Sequence, residues 1–470
     1  MIPMRLDAIA EAVGGTVHDA PEGDPVVVTG PVFLDSRKPE PGGLFAAFAG
    51  EQVDGHDFAA ATTAAGAAAV LAARPVGVPA VVVSDQQQGL GALAHHVLRQ
   101  LADTRVLAVT GSQGKTSTKD MLAAVLAASA PTVATQGSFN NELGLPLTVL
   151  RAEPGTAYLL LEMGARGRGH LADLCRIAPP NVSMVLNVGK AHLGEFGTQA
   201  DIAAAKGELV EALSGDGVAV LNADDPLVAA MASRTEARVL TFGAAPAADV
   251  RLDGLRVDDQ GRPRFILRHE DISVPVELQL VGEHQARNAA AAATAALAVG
   301  IPLGDACEVL AGVATLSQWR MEVRHRADGV SVVNDAYNAN PDSMEAALRS
   351  LVSIGNGRGS DARTIAVLGE MRELGESSAA EHDAVGRLAV RLGVHRLLVV
   401  GEAARATHDG ARAQRPTSGQ GEEPVFVADN DEAVAWLTEQ VRPGDVVLVK
   451  ASRGARLDVV AQALLGEGAA

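Results

Sequence analysis

Arg105-Val-Leu-Ala-Val-Thr-Gly-Ser-Gln-Gly-Lys-Thr-Ser-Thr-Lys119 decides how the rest of the chain is read. Val106 to Val109 is a short apolar run of the kind that makes a buried strand. Gly111 and Gly114 make a tight turn. A helix is predicted from about Lys115, carrying Met121, Leu122, Val125 and Leu126 at helical spacing. A strand, a glycine turn and a helix in that order build a phosphate cradle. The glycines let backbone N–H groups close on an anion, and the helix N-terminus adds its positive dipole end. Lys115 brings a full charge to the outer phosphates, and the Thr116 hydroxyl is placed to ligate Mg²⁺. The string is Thr-Gly-x-x-Gly-Lys-Thr and not a full Walker A, because position 109 is Val where that pattern has Gly.

The composition bounds the setting of this motif. At 470 residues the chain exceeds one ordinary core, so several domains are expected. Aromatics are only 3% of an otherwise normal 47% apolar content, so the core must be Ala, Val and Leu at close backbone spacing. A net charge of −18 speaks against nucleic acid as a partner, since nothing neutralises a phosphate backbone at scale. Cys175 and Cys307 show no metal or redox spacing, which fits a reducing compartment. The longest apolar stretch, Ala289 to Gly300, is mostly Ala and too short to span a bilayer. The N-terminus reads as an amphipathic helix and not as a signal peptide, so a soluble cytoplasmic protein is expected. Of the 39 basic residues six are Lys, at 38, 115, 119, 190, 206 and 450. Such a bias keeps Lys where Arg would not serve, or by chance; Arg cannot lose its proton, whereas Lys can.

Outward from the phosphate loop, Ala157 to Glu162 reads as a buried strand ending on a carboxylate, and Met184 to Val188 as another, followed by His192. Ligands of open parallel sheets sit beyond the strand C-termini, so Thr116, Glu162 and His192 are expected on one rim. A lone His is more often structural; the shared rim favours a metal and phosphate role. Between these strands, Gly137 to Pro146 marks a loop of special geometry that leads into a helix at Pro146. Lys206 by itself reads as a solvated helix lysine. Residues 235 to 281 alternate polar and apolar and suggest an antiparallel flap, after which an Ala-rich helix opens at Gly282 to Asn288.

Residues 1–104 read as a small α/β domain, 105–316 as the nucleotide domain with a parallel sheet, and 317–470 as a Rossmann-like domain. The last has strands at Val330 to Val333, Thr364 to Leu368, Arg396 to Val400 and Val446 to Lys450. In the first domain Asp35-Ser36-Arg37 and Asp54-Gly-His-Asp57 read, on residue physics alone, as ordinary turns and caps. A phosphate site with metal ligands, flanked by two domains with polar loops at strand ends, suits a multi-substrate ATP-using enzyme that closes around its ligands.

At that point the motifs resemble the Mur ligases, over essentially the whole chain. The strings that carry the resemblance are Thr110-Gly-Ser-Gln-Gly-Lys-Thr-Ser-Thr118, Asn140-Asn-Glu-Leu-Gly-Leu-Pro-Leu147, Glu162-Met-Gly-Ala165, Asn187-Val-Gly-Lys-Ala-His-Leu193, Lys206-Gly-Glu208, Asn222-Ala-Asp-Asp-Pro226 and Asn334-Asp-Ala-Tyr-Asn-Ala-Asn-Pro-Asp-Ser343. The last is similar to the branch of the family that joins D-alanyl-D-alanine to UDP-N-acetylmuramoyl-tripeptide. The Asp-Asn-Pro-Arg acceptor signature of the diamino-acid-adding branch is not found.

The resemblance implies a three-domain α/β fold and a monomeric amide ligase working through an acyl phosphate, while the net charge and the short apolar stretches already speak against a nucleic-acid or membrane partner. It implies that Gly111, Ser112, Gln113, Gly114, Lys115, Thr116 and Ser117 hold the ATP phosphates. Thr116 and Glu162 would bind one Mg²⁺, and His192 would help bind a second. Lys206 would be carbamylated, turning a cation into an oxygen ligand for Mg²⁺. Asn288, Arg320, Asp335 and Tyr337 would attend the nucleotide. Asn140, Asn141, Asn338, Asn340, Lys450, Ser452 and Arg453 would face the substrates and the closing interface, and Ser36, Arg37, Asp54 and His56 the UDP end of the donor. Two departures stand out: Phe48 and Ala49 fill places where the family has Leu and often Lys, and Ala451 replaces a Gly. Neither removes a group the chemistry requires. The alternatives are a sibling ligase adding a single amino acid, a folylpolyglutamate synthase relative, or a non-catalytic nucleotide switch.

Overall fold

Strand Arg105–Thr110 lies inside a nine-stranded sheet, flanked by Tyr158–Glu162 on one side and Val182–Val185 on the other, both parallel to it. The computed structural model describes residues 1–50, 53–189, 196–315, 317–359, 362–414 and 422–466. The full order of this sheet is Ile272–Glu277, Pro263–His269, Val250–Val257, Arg238–Gly243, Val218–Asn222, Val182–Val185, Arg105–Thr110, Tyr158–Glu162 and Thr132–Ala134. The expected flap is antiparallel in its last three strands, but it does not stand apart. Val250–Val257 pairs parallel with Arg238–Gly243 and so prolongs the main sheet. The cause is its one apolar face: Leu252, Phe265, Leu267 and Val276 are buried in the same cluster as the phosphate-loop strand and helix.

That cluster is built around the helix His284–Ala298. Nine of its fifteen residues are alanine, and Ala286, Ala289 to Ala293, Ala295 and Ala296 are fully buried. It packs against the phosphate-loop helix Lys115–Ser129. Methyl-sized side chains let the two helix backbones approach closely, which is how a chain poor in aromatics fills its core without voids.

The C-terminal sheet has six strands, ordered Glu322–His325, Ser331–Asn334, Val446–Lys450, Thr364–Leu368, Arg396–Val400 and Val425–Val427. All neighbours are parallel except the first pair. The strand Val446–Lys450 is buried along its whole length and carries Lys450 to the C-terminal edge. In the N-terminal domain, Ala80–Val82, Ala69–Ala72, Leu44–Ala46 and Val32–Phe33 form the parallel part of a five-stranded sheet. Val27–Val28 pairs instead with Met4–Arg5, in a separate two-stranded ribbon. The strands of the ribbon and the five-stranded sheet lie between Met4 and Val82, those of the nine-stranded sheet between Arg105 and Glu277, and those of the six-stranded sheet between Glu322 and Lys450. No helix among the described residues is long and apolar enough to cross a membrane.

Candidate active site

The phosphate loop is pinned from the neighbouring strand end. Ser112 N–H donates to the Asn187 carbonyl at 3.1 Å, and Gln113 N–H to Asn187 Oδ1 at 3.0 Å. Asn187 Nδ2 returns a bond to the Gln113 carbonyl at 3.1 Å. Gly114 then turns into the helix with φ +80°, a conformation that disfavours any Cβ. A Cβ there would also stand 2.6 Å from Asn288 Oδ1. Gly114→Ala therefore meets a left-handed backbone cost of roughly 1–2 kcal/mol before the clash with Asn288. We expect nucleotide affinity to fall about tenfold or more, read by calorimetric titration.

Lys115 donates from Nζ to the Gly111 carbonyl at 2.7 Å. Burial pushes its pKa below the usual lysine value, partly offset by Glu162. Glu162 ends its strand at 1% exposure. Its Oε1 accepts from Asn140 Nδ2 at 2.8 Å, while Oε2 is buried without a hydrogen-bond partner among the described residues. A buried carboxylate oxygen left open in the cleft that Thr116 also lines fits a hard divalent cation that takes oxygen ligands. Asn140 thus orients the carboxylate. Asn140→Ala is expected to weaken metal-dependent turnover by about 10–100-fold with Glu162 itself intact, measured as activity against Mg²⁺ concentration.

Lys206 lies in the helix Gln199–Glu211 and is 2% exposed, not the solvated lysine that its sequence context suggests. Burial, and then the charge of Lys115, push its pKa well below the usual value. His192, expected on the same rim, lies outside the described residues.

The facing wall comes from the C-terminal domain. Asp335 Oδ1 accepts from Met321 N–H at 3.0 Å, and Oδ2 pairs with Lys450 Nζ at 2.5 Å. Lys450 Nζ also donates to the Asn338 carbonyl at 2.9 Å. Arg320 stacks over the Tyr337 ring at 4.2 Å, and Arg453 lies 5.2 Å from the same ring. The Tyr337 hydroxyl reaches across to Ser138 of the central domain. Asn340 caps the helix Pro341–Gly357 in a reciprocal box with Ser343, and Asn141 Oδ1 accepts from Gly144 N–H at 2.9 Å. Both Asn residues therefore spend their side-chain oxygens on shaping loops.

These residues enclose a cleft of about 470 Å³. Ser112 to Ser117, Asn140, Asn141, Glu162, Lys206, Asn288, Arg320, Asp335, Tyr337, Asn338, Asn340, Lys450 and Arg453 all line it. Gly111 and Ser452 do not; Ser452 accepts from Arg372 N–H at 3.0 Å behind the lining. A larger cleft of about 1070 Å³ touches this one at Arg320 and Met321 and runs along the edge strand Glu322–His325. It holds neither the phosphate loop nor Glu162, so the chemistry belongs to the smaller one.

Ser36, Arg37, Asp54 and His56 are on the N-terminal domain and do not line the cleft. Arg37 is exposed and paired with Asp35 at 2.8 Å. His56 is buried, with Nδ1 2.5 Å from Asp54 Oδ1 and Nε2 accepting from Ala73 N–H at 3.0 Å. Both ring nitrogens of His56 are thus engaged in holding the segment Asp54 to Phe58 in place. His284, Ser138, His170 and Glu373 line the cleft without having been singled out from the sequence. Burial lowers the His284 pKa to about 4, against the opposing pull of Asp335. Its signal was the break before the alanine run, at Gly282-Glu-His284.

A phosphate loop facing a Rossmann-like wall, with buried carboxylate and lysine between them, defines an ATP-using enzyme of three α/β domains. The Mur ligase family, catalytic domain, matches residues 31–105; the Mur ligase middle domain matches 109–296; and the Mur ligase, glutamate ligase domain, matches 319–453. A Mycobacterium tuberculosis protein, UDP-N-acetylmuramoyl-tripeptide–D-alanyl-D-alanine ligase, is 48% identical, over 99% of this chain and 98% of its own. The Escherichia coli protein of that name is 35% identical over the full length of both. The crystal structure of MurF from Acinetobacter baumannii superposes with a TM-score of 0.87 at 30% identity, covering 99% of each chain. MurF from Thermotoga maritima in complex with ADP gives 0.80 at 30% identity, over 94% of this chain and 98% of that one. The chain belongs to the Mur ligase family.

Proposed function

We propose that this chain is an ATP-dependent ligase that joins D-alanyl-D-alanine to UDP-N-acetylmuramoyl-tripeptide, completing the pentapeptide precursor of peptidoglycan. The observation that carries the reading is near-full-length identity to proteins of that name, together with a cleft that joins the phosphate loop to the Asn334–Ser343 loop. The reading also takes the protein as cytoplasmic and monomeric.

A carboxylate is a poor acyl donor at neutral pH. The donor's terminal carboxylate oxygen attacks the ATP γ-phosphorus in line, giving an acyl phosphate and ADP. Lys115 and the N–H groups of the loop spread the charge that builds on the phosphoryl oxygens. Thr116, the open oxygen of Glu162 and Lys206 would hold Mg²⁺, with His192 reserved for a second ion. Bound there, the metal supplies charge neutralisation at the phosphates. The amine of the dipeptide then attacks the acyl carbon, a tetrahedral intermediate collapses, and phosphate leaves. The Asn338 to Asn340 loop, held by Lys450 and Asp335, is where we seat the dipeptide; Arg320 and Tyr337, with Asn288 beside Gly114, attend the nucleotide. The two walls exclude water that would hydrolyse the acyl phosphate.

Lys206 enters as a carbamate. Only a neutral amine reacts with carbon dioxide: its lone pair forms the N–C bond, one proton leaves, and a carbamate anion results. Burial favours the neutral amine and thereby favours that step, and the product offers oxygen ligands where the amine offers none.

Phosphate release with ATP, Mg²⁺ and UDP-N-acetylmuramoyl-tripeptide, with and without D-alanyl-D-alanine, tests the reading. The expected result is dipeptide-dependent release and a product heavier by the dipeptide less water. Release that answers to a single amino acid instead moves the chain to a sibling ligase. No donor-dependent release overturns the ligase reading.

A further inference from the structure

The phosphate-loop helix is tied to the chain that leaves the central domain by an ion pair, buried on its Lys119 side and half-buried at Asp120, that no step above uses. Lys119 is 2% exposed. Its Nζ donates to the Thr135 carbonyl at 2.8 Å and pairs with the adjacent Asp120. Asp120 Oδ2 accepts the backbone N–H of Ser317 at 2.8 Å. At the other end, Thr135 Oγ1 accepts the backbone N–H of Glu162 at 3.0 Å. A continuous polar chain therefore runs from Glu162 in the cleft, through Thr135, Lys119 and Asp120, to Ser317.

Ser317 opens the segment that crosses into the C-terminal domain. Two residues further on, the backbone is strained: Trp319 has φ +60° and Met321 φ +50°, left-handed values that bulky side chains rarely adopt. Arg320, between them, stacks on Tyr337 and lines the cleft. The crossing segment is thus held on one side by the phosphate-loop helix and on the other by the cleft's C-terminal wall. An ion pair is a costly brace for a helix, since apolar side chains of similar size often do as well. The directional bond to Ser317 is what an apolar pair would lack.

We infer that Asp120 is a positioning residue for ligation: it fixes the crossing segment to the phosphate-loop helix, so that ligands held at the loop set where Arg320 and the C-terminal domain meet them. The inference rests on the ligase reading above. Asp120 touches no reactant and acts through Ser317 and Arg320.

Two variants separate this role from simple packing. Asp120→Asn keeps an oxygen for Ser317 N–H but loses the charge that fixes it. The double variant Lys119→Met with Asp120→Leu removes both charges without leaving a lone buried cation. Dyes at Ser233→Cys and Glu439→Cys, both exposed, report the distance between the central and C-terminal domains by energy transfer; Cys175 and Cys307 are buried and stay unlabelled. The full-length protein is measured with and without a non-hydrolysable ATP analogue and Mg²⁺. In the double variant we expect kcat to fall about tenfold or more, nucleotide Kd to move by less than about threefold, and the nucleotide-induced distance change to shrink to less than about half. Asp120→Asn should fall between the two, and it carries the test if the double variant does not fold. A full distance change in the variants, no change in the parent protein, or kcat within about twofold of the parent overturns the inference. So does a parallel loss of kcat, affinity and melting temperature, which marks a packing brace. The energy-transfer arm needs only nucleotide, so failure of the dipeptide reaction in the parent protein is read separately.

Discussion

Lys206→Ala abolishes most ligation, lowering kcat by on the order of 10²–10³-fold, and added formate or acetate restores part of it. The side chain is buried, and its amine is pushed towards the neutral form by burial and by Lys115. In that form it can react with carbon dioxide, and on the proposed mechanism a carbamate there would present oxygens to the cleft that Glu162 and Thr116 also line. Truncation to Ala removes those oxygens and leaves a hole that a small carboxylate can enter. Lys206→Arg is the sharper control. Arg cannot shed its proton, so it keeps bulk and positive charge but cannot form the carbamate, and it leaves no hole for rescue. The check is kcat against acetate concentration for all three proteins. Equal, unrescued loss in Ala and Arg variants removes the carbamate from the mechanism.

Lys115→Ala should be as damaging at an earlier step. With Lys115 removed, the phosphoryl oxygens lose their one full protein charge at the loop. Formation of ADP from ATP and donor is expected to drop by on the order of 10²–10³-fold. Rapid-quench measurement of ADP in the first turnover isolates this step from dipeptide attack. The helix should survive, because its N-terminal turn is set by Gly114 and by the bonds from Asn187, not by the lysine. A single-turnover rate close to that of the parent protein would take the phosphate loop out of the chemistry.

The phosphate loop was legible because its constraint is local: a buried strand, two glycines and a helix are neighbours in sequence. Glu162 was legible for a related reason, since it closes an apolar run and strand ends face the ligand side. Lys206 was not. Its helix reads as ordinary, and its burial comes from elements distant in sequence; only the family resemblance marked it. The role of Asn140 in orienting Glu162 spans 22 positions and has no local signature. His56 has no local signature either: its turn was legible, but that Ala73 and Asp54 occupy both of its nitrogens was not. The edge strand Glu322–His325 went unseen because its one apolar residue gives no alternation, and Val425–Val427 because three residues are too few to show a period. The flap's pattern was read, but its attachment to the main sheet depends on register, which periodicity does not encode.

The alanine helix His284–Ala298 has a consequence for how this chain can change over generations. From Asn288 to Ala296 every residue is buried, so that stretch has no outward face on which drift is harmless. A single Ala→Leu exchange in a close-packed core costs about 1–3 kcal/mol, and here such positions follow one another from Ala289 to Ala293. A saturation library of the gene should therefore show an unbroken band of intolerance there, as deep as that of the reacting residues although none of these alanines touches a reactant. Read without the structure, that band would be mistaken for a second active centre.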